Sequence, residues 1–204
     1  MRKPSIEEIR RAFHLNGMVF FNAPYDVTLG GIRTIDSQSN SFNDWLFAHY
    51  FDNTGNSYYE IVEGTTDAGL YYRLNPLNVF GTAIIQHNYQ HRGAYELQNP
   101  KIDGKRGHRG QKAFRQVSNM KYWRDANRDT YLNFGGQNLY GIYGTNGHYM
   151  GTVGKSVDRW SAGCWGATVE NMDKLYAIAE AQINNNLGNR FSFALLHEEN
   201  FKNI

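Results

Sequence analysis

Cysteine occurs once in this 204-residue chain and proline four times, and neither sign of charge prevails, with 21 basic against 19 acidic residues. A single cysteine excludes an internal disulfide and any multi-cysteine zinc site, which leaves a free thiol, buried or reactive, or an intermolecular bridge. Nowhere do about 18 apolar residues run together, so no membrane-spanning helix is expected. The opening MRKPSIEEIRRAFHLNG lacks the apolar run that follows the basic start of an export signal. A net charge of +2 gives no electrostatic footprint for nucleic acid. No repeat, proline-rich linker or low-complexity run interrupts the chain, so residues 36–204 read as one unit behind a lead-in of residues 1–35.

Aromatics are what the chain has in quantity: 14 Tyr, 12 Phe and 4 Trp, bulky enough to offset the entropy of ordering a chain of this size. Ser5 and Glu8 form a capping box, and Ile6, Ile9 and Phe13 follow at helical spacing, predicting a short helix over 5–14. From Met18 onward the pattern turns to short apolar or alternating runs. MVFF (18–21), WLFAHYF (45–51), YYEIV (58–62), GLYYRL (69–74), TAIIQ (82–86), GAYEL (93–97), NLYGIY (138–143) and FSFALL (191–196) read as strands separated by Gly and Asn. Asp52-Asn53-Thr54-Gly55-Asn56 joins the second and third of these as a hairpin. Met172, Leu175, Tyr176, Ala179 and Ile183 define one helix face ending near Gly188. The fold class is mainly β with α, an α+β domain with a meandering, mainly antiparallel sheet.

The lone thiol, Cys164, stands in DRWSAGCWGA (158–167). A nucleophilic cysteine needs a lowered pKa or a nearby base, and donors for the oxyanion. Ser161, Ala162 and Gly163 are small enough for a substrate to approach the backbone, and Thr168 is placed to cap a helix whose positive end would favour a thiolate. The alternative is a small apolar side chain filling a core between Trp160 and Trp165.

NLYGIYGTNGHYMGTVGKSVDRWSAGCWGA (138–167) resembles the active-site region of the L,D-transpeptidase catalytic-domain family, in which a strand carrying His-Gly-Thr precedes Ser-x-Gly-Cys. Ser161-Ala162-Gly163-Cys164 matches the second element and Gly144-Thr145 the tail of the first. VTLGGIRTIDSQSNSFNDWL, TTDAGLYYRLNP, YQHRGAYEL and YWRDANRDTYLNFGG resemble segments of a phage and bacterial branch of that family, so the likeness spans roughly residues 18–197. It implies a β-sandwich in which the cysteine attacks the stem-peptide carbonyl between a diamino acid and D-alanine. An amine would resolve the resulting thioester to a cross-link (transpeptidase), or water to a trimmed stem (carboxypeptidase or endopeptidase). Peptidoglycan stem peptides would be the partner and no cofactor would be needed. With no export signal, such a chain would be made in the cytoplasm and reach the wall by lysis, in a virion or by other delivery.

Two positions depart from the family. Tyr143 stands where it has His, and Gly166 where it commonly has Arg two residues after the Cys. A phenol with a pKa of about 10 is a poor base beside an imidazole of about 6.5. His148, sixteen residues ahead of Cys164, is the candidate replacement, with Tyr143 as a positioning or substitute group. The Gly163 and Cys164 N–H groups are candidate oxyanion donors, Ser161 is expected to shape that turn, and Trp160, Trp165, Thr145 and Arg109 are candidate substrate contacts. The competing expectation is an inactive peptidoglycan-binding or virion structural protein that keeps the fold.

Three further features carry weaker signals. KIDGKRGHRGQKAFR (101–115) is a basic, glycine-rich loop, suited to solvent or to the carboxylates of a glycan-peptide polymer; it holds His108. His87 and His91 are four apart but on a strand-and-turn pattern that sends side chains apart, so no metal site is assigned there. Asp125, Asn127 and Asp129 resemble the start of a calcium loop, yet Thr130 and Gly136 stand where Gly and Glu are required, and an Asx-rich turn is the better reading.

Overall fold

The structure, a computed structural model, describes residues 1–38, 40–151, 156–202 and 204. Residues 152–155, inside the stretch that carries the family resemblance, lie outside the described residues.

A helix opens the chain, α1 (Ile6–Leu15), and its capping box is formed: Ser5 Oγ accepts from the Glu8 N–H at 3.2 Å, and the Ser5 N–H donates to the Glu8 carboxylate at 2.8 Å. The strands that follow are β1 (Thr28–Arg33), β2 (Asp44–Phe51), β3 (Ser57–Gly64), β4 (Thr82–Ile85), β5 (Tyr89–Gln98), β6 (Ala113–Gln116), β7 (Met120–Asp125), β8 (Gln137–Gly141), β9 (Gly147–Tyr149), β10 (Trp165–Ala167) and β11 (Phe191–His197). Two more helices, α2 (Leu70–Leu74) and α3 (Val169–Asn184), lie between strands, and a 3₁₀ turn covers Glu198–Phe201. Eight strands form one sheet in the order β10-β9-β6-β5-β11-β1-β2-β3, and β4-β7-β8 form a second. The class is therefore α+β, mainly β.

The pairing is mostly antiparallel, as the alternating runs predict, and among the described strands two pairs are parallel, β1 with β11 and β9 with β10. Both involve segments far apart in sequence or separated by a long loop, which local patterning does not encode. The β2–β3 hairpin has the expected turn: Asp52 Oδ1 accepts from the Thr54 and Asn56 N–H groups, an Asx cluster. GLYYRL, read as a strand, contains the short helix α2. There Arg73 is buried and donates to the carbonyls of Ala68, Ser37, Gln38 and Thr130, so tertiary hydrogen bonds override the β preference of the two tyrosines. MVFF is not a strand either. The chain folds back on α1, with the Met18 N–H donating to the Phe13 carbonyl and Phe20 packing edge-on to Phe13.

Two apolar clusters share the large sheet. One, under α3, gathers Met172, Leu175, Tyr176 and Ala179 with Trp165, Phe114 and Phe193. The other joins Ile9 and Phe13 of α1 to Ile32, Phe47 and Ala194. Residues 1–35 thus supply a central strand and part of a core, and share that core with residues 36–204. Arg33, fully buried at the end of β1, ties the sheets together: it donates to the Ile85 carbonyl of β4 at 2.8 Å and pairs with Asp67 at 2.8 Å. A buried charge is retained at low cost only when paired and fully hydrogen-bonded in this way.

Candidate functional site

The small sheet and the β9–β10 end of the large one enclose a cleft of about 380 Å³ lined by Cys164, His148, Tyr143, Thr145, Trp160 and Arg109, among others. Six of the nine residues expected to act thus meet there. Gly163, Ser161 and Trp165 do not line it.

Ser161 is fully buried and organises the turn into the cysteine. Its hydroxyl donates to the Cys164 carbonyl at 2.7 Å and accepts from the Gly163 N–H at 3.1 Å. That bond uses the Gly163 N–H, which is therefore not free for an oxyanion, a correction to the expected role. The Cys164 N–H has no acceptor among the described residues and is open to a ligand's oxygen. Gly163 is required for its conformation: at φ +129° a side chain is strained, and a Cβ would lie 2.7 Å from the Ala83 carbonyl oxygen.

Trp165 is not a substrate contact. It is fully buried in β10, stacked on Phe114 and Phe193 with centroids at 5.4 and 4.7 Å. Trp160, by contrast, is 45% exposed at the cleft. Thr145 lines the cleft, but its hydroxyl is engaged with Tyr122 Oη at 2.6 Å and its carbonyl accepts from Tyr95 Oη at 2.7 Å. The expected help from α3 is weak. Thr168 does cap it, accepting from the Asn171 N–H at 3.4 Å, but β10 intervenes between Cys164 and the first helical turn, and a helix dipole fades within about one turn.

His148 projects from β9, where Gly147 lets Trp165 pack against the backbone. The residue is 4% exposed. Its Nδ1 lies 2.7 Å from the Tyr149 carbonyl, which can only accept, so Nδ1 carries the proton and Nε2 the lone pair. That Nε2 is buried without a hydrogen-bond partner. Its neighbour is His108, whose ring stacks on it with centroids 3.9 Å apart and planes 8° from parallel. Nitrogen atoms of both rings and the Cys164 sulfur lie within 4.8 Å of one another. The thiol itself points to the Gly144 carbonyl, 3.6 Å away. His148 therefore stands near the sulfur without a hydrogen bond to it, and catalytic contacts of this kind often tighten only in the complex with substrate.

His108 was not foreseen as a site residue. Its own segment explains how it arrives. His108 and Gln111 exchange both backbone hydrogen bonds at 2.9 Å, and the two residues between them, Arg109 and Gly110, have φ of +49° and +75°, the signature of a tight type I′ hairpin turn. The basic loop is thus held rather than free, with Lys105 paired to Glu96 at 3.2 Å and Lys112 to Glu180. Asn146 Nδ2 lies 3.1 Å from His108 Nδ1 and completes the cradle. A histidine between glycines gives no local signal of this docking, which rests on a contact forty residues away.

Tyr143 stands in the cleft mouth, its ring edge-on to Tyr122 at 4.9 Å and under the Arg124 guanidinium at 5.5 Å. Its hydroxyl makes no hydrogen bond to Cys164 among the described residues. The loop it belongs to is fixed by one side chain: Gln116 Oε1 accepts from the N–H groups of Tyr143, Gly144 and Thr145 at 3.1, 2.8 and 3.1 Å. Glycine at 166 is enforced sterically, since a Cβ there would collide with the His148 carbonyl oxygen.

Burial pushes the Cys164 thiol up to about 11, although the Asn146 backbone N–H and the charges of Arg109 and Arg115 offset part of that rise. Burial also pushes His148 down to about 3, aided by His108 and Arg109 and opposed by the Tyr149 carbonyl. His108 falls to about 4 through burial and the charges of Arg109 and Arg115. At rest the site is therefore a neutral thiol beside two neutral imidazoles. Two histidines and a cysteine are ligands for a soft divalent ion, but parallel stacked rings do not place one ion in both ring planes, and Arg109 acts on all three groups with positive charge. The trio as it stands suits a neutral or anionic occupant better than a cation.

Elsewhere, His87 packs against Trp123, Phe134 and His197, while His91 bonds the Gln86 carbonyl, so the two do not converge. Asp125 and Asp129 accept from the backbone N–H groups of Asn127, Asn133 and Tyr131, the expected Asx turns. No helix among the described residues is long and apolar enough to cross a membrane.

The fold and cleft define an α+β protein with a cysteine and two histidines at the end of a mainly antiparallel sheet. Compared with family models, curated proteins and solved structures, the chain matches none.

Proposed function

We propose that the protein is a cysteine acyl-transfer enzyme of the L,D-transpeptidase type acting on peptidoglycan stem peptides, and that its sheet and cleft are a variant of that family's β-sandwich. The observation that carries this reading is the tautomer of His148 beside the thiol: Nδ1–H is anchored on the Tyr149 carbonyl, Nε2 keeps an unpartnered lone pair, and a ring nitrogen of His148 lies within 4.8 Å of the Cys164 sulfur. In this scheme the Cys164 sulfur attacks the stem-peptide carbonyl carbon as its proton passes to His148 Nε2. The Cys164 N–H faces the oxyanion. The C–N bond then breaks, the departing amine takes the proton from His148, and a thioester remains. An acceptor amine or water resolves it, returning the proton to sulfur. Tyr143 and Trp160 serve as walls that place the peptide, and His108 buttresses the face of His148. Cell-wall lysis or modification by a phage-derived protein fits this chemistry and the family resemblance.

A second reading, a binding protein with an inert site, is favoured by the high thiol and low imidazole pKa values, which keep the proton on sulfur. The two readings separate when purified muropeptides are incubated with the protein and with Cys164→Ala and the products are weighed. Trimmed or cross-linked stems that vanish in the variant support the enzyme. Unchanged stems with both proteins support the binding module.

A further inference from the structure

Among the described residues, the cleft around Cys164 is lined by three arginines and by no aspartate or glutamate. They arrive from three separate segments: Arg109 from the type I′ turn, Arg124 from β7, and Arg159 from the turn ahead of Ser161. Arg124 donates to the Gly81 carbonyl at 2.7 Å and lies over Tyr143, and Arg159 lies 4.0 Å above the Tyr71 ring. None of the three takes part in an ion pair among the described residues. The contrast within one loop is informative: Lys105 and Lys112 each have a glutamate partner, while Arg109 has none and faces the cleft. Three like charges around one concavity repel one another until an anion enters, and a guanidinium presents the planar fork that matches a carboxylate.

We infer that the cleft contains an anion subsite, formed by Arg109, Arg124 and Arg159, that takes a terminal carboxylate of the peptide whose carbonyl is presented to Cys164. This rests on the acyl-transfer reading for the position of that carbonyl, but not for the binding itself. It restricts the ligand to peptides with a free carboxyl end near the reacting bond, and disfavours internal bonds of a cross-linked strand.

The test uses Cys164→Ala protein and a tetrapeptide of alternating L and D residues ending in D-alanine, supplied as the free acid and as the C-terminal amide, with binding followed by calorimetry. The acid is expected to bind about tenfold or more tighter than the amide, as one charge-assisted pair allows, and to weaken as salt is added. In Arg109→Gln/Arg159→Gln protein, checked for an unchanged melting temperature, that advantage should fall below about twofold. Equal binding of acid and amide, no binding of either, or an acid preference that survives in the double variant would overturn the subsite. Because the thiol is absent, selective binding of the acid by a protein that never acylates would keep the subsite and remove only the chemistry.

Discussion

Alkylation of Cys164 by iodoacetamide across a pH series reads the resting state of the site directly. With the thiol held up to about 11, only about one molecule in a thousand is thiolate at a pH of about 8, against about a quarter for an ordinary cysteine of pKa about 8.5. The higher pKa returns some reactivity, about tenfold for a nucleophilicity slope of about 0.4–0.5. The net expectation is a rate about 20-fold below that of free cysteine, rising log-linearly with pH up to about 10. His148→Gln should change this rate less than about twofold, because an imidazole lowered to about 3 is neutral throughout the range. The same substitution should cut turnover of stem peptide by about 10²-fold or more, the usual loss for a missing general base. Intact-protein mass spectrometry follows the alkylation and chromatography of the peptides follows the turnover. A plateau of fast alkylation beginning near neutral pH would refute the reasoning, since it would mean a resting thiolate–imidazolium pair that burial should forbid.

Phe13→Ala should destabilise the whole protein by about 3–5 kcal/mol in urea unfolding, the range for a fully buried aromatic, because Phe13 is 0% exposed against the sheet. A loss under about 1 kcal/mol would make α1 a dispensable appendage. Gly166→Ala should cost at least about 2 kcal/mol through overpacking against the His148 carbonyl, and a neutral result by melting would show that β9 and β10 pair differently. Histidines 49, 91 and 108 are lowered by burial to about 4, and 87 and 148 to about 3. The unfolded chain therefore binds more protons than the folded one below a pH of about 6.5, and the melting temperature should fall from there toward about 4. A melting temperature that is flat over that window would contradict neutral burial of these rings.

What was legible in the sequence was what local chemistry dictates. Ser5 and Glu8 announce α1, Asp52 to Asn56 announce the β2–β3 turn, and the spacing from Met172 to Ile183 announces α3; each is formed. Ser161 to Cys164 pointed to the cleft, and His148, Tyr143 and Arg109 do line it with Cys164. What failed depended on distant partners. Trp165 reads as a cleft wall beside Cys164, but strand alternation turns it into the core against Phe114 and Phe193. Tyr71 and Tyr72 favour a strand until Arg73 finds four carbonyls. His108 is local to a basic loop in sequence and to His148 only in space. Glycines 107 and 110 of that glycine-rich loop help set the turn that aims it, and a Cβ at Gly107 would strike the Gln111 carbonyl.

The central claim is that Cys164 forms a thioester with a stem peptide. Incubating the protein briefly with a free-acid tetrapeptide donor, quenching in acid and mapping the intact and digested masses tests it in one step. The account predicts an acyl adduct confined to the peptide that carries Cys164, lost in Cys164→Ala and slowed in His148→Gln. An unmodified Cys164 after prolonged incubation with a donor shown to bind would contradict it.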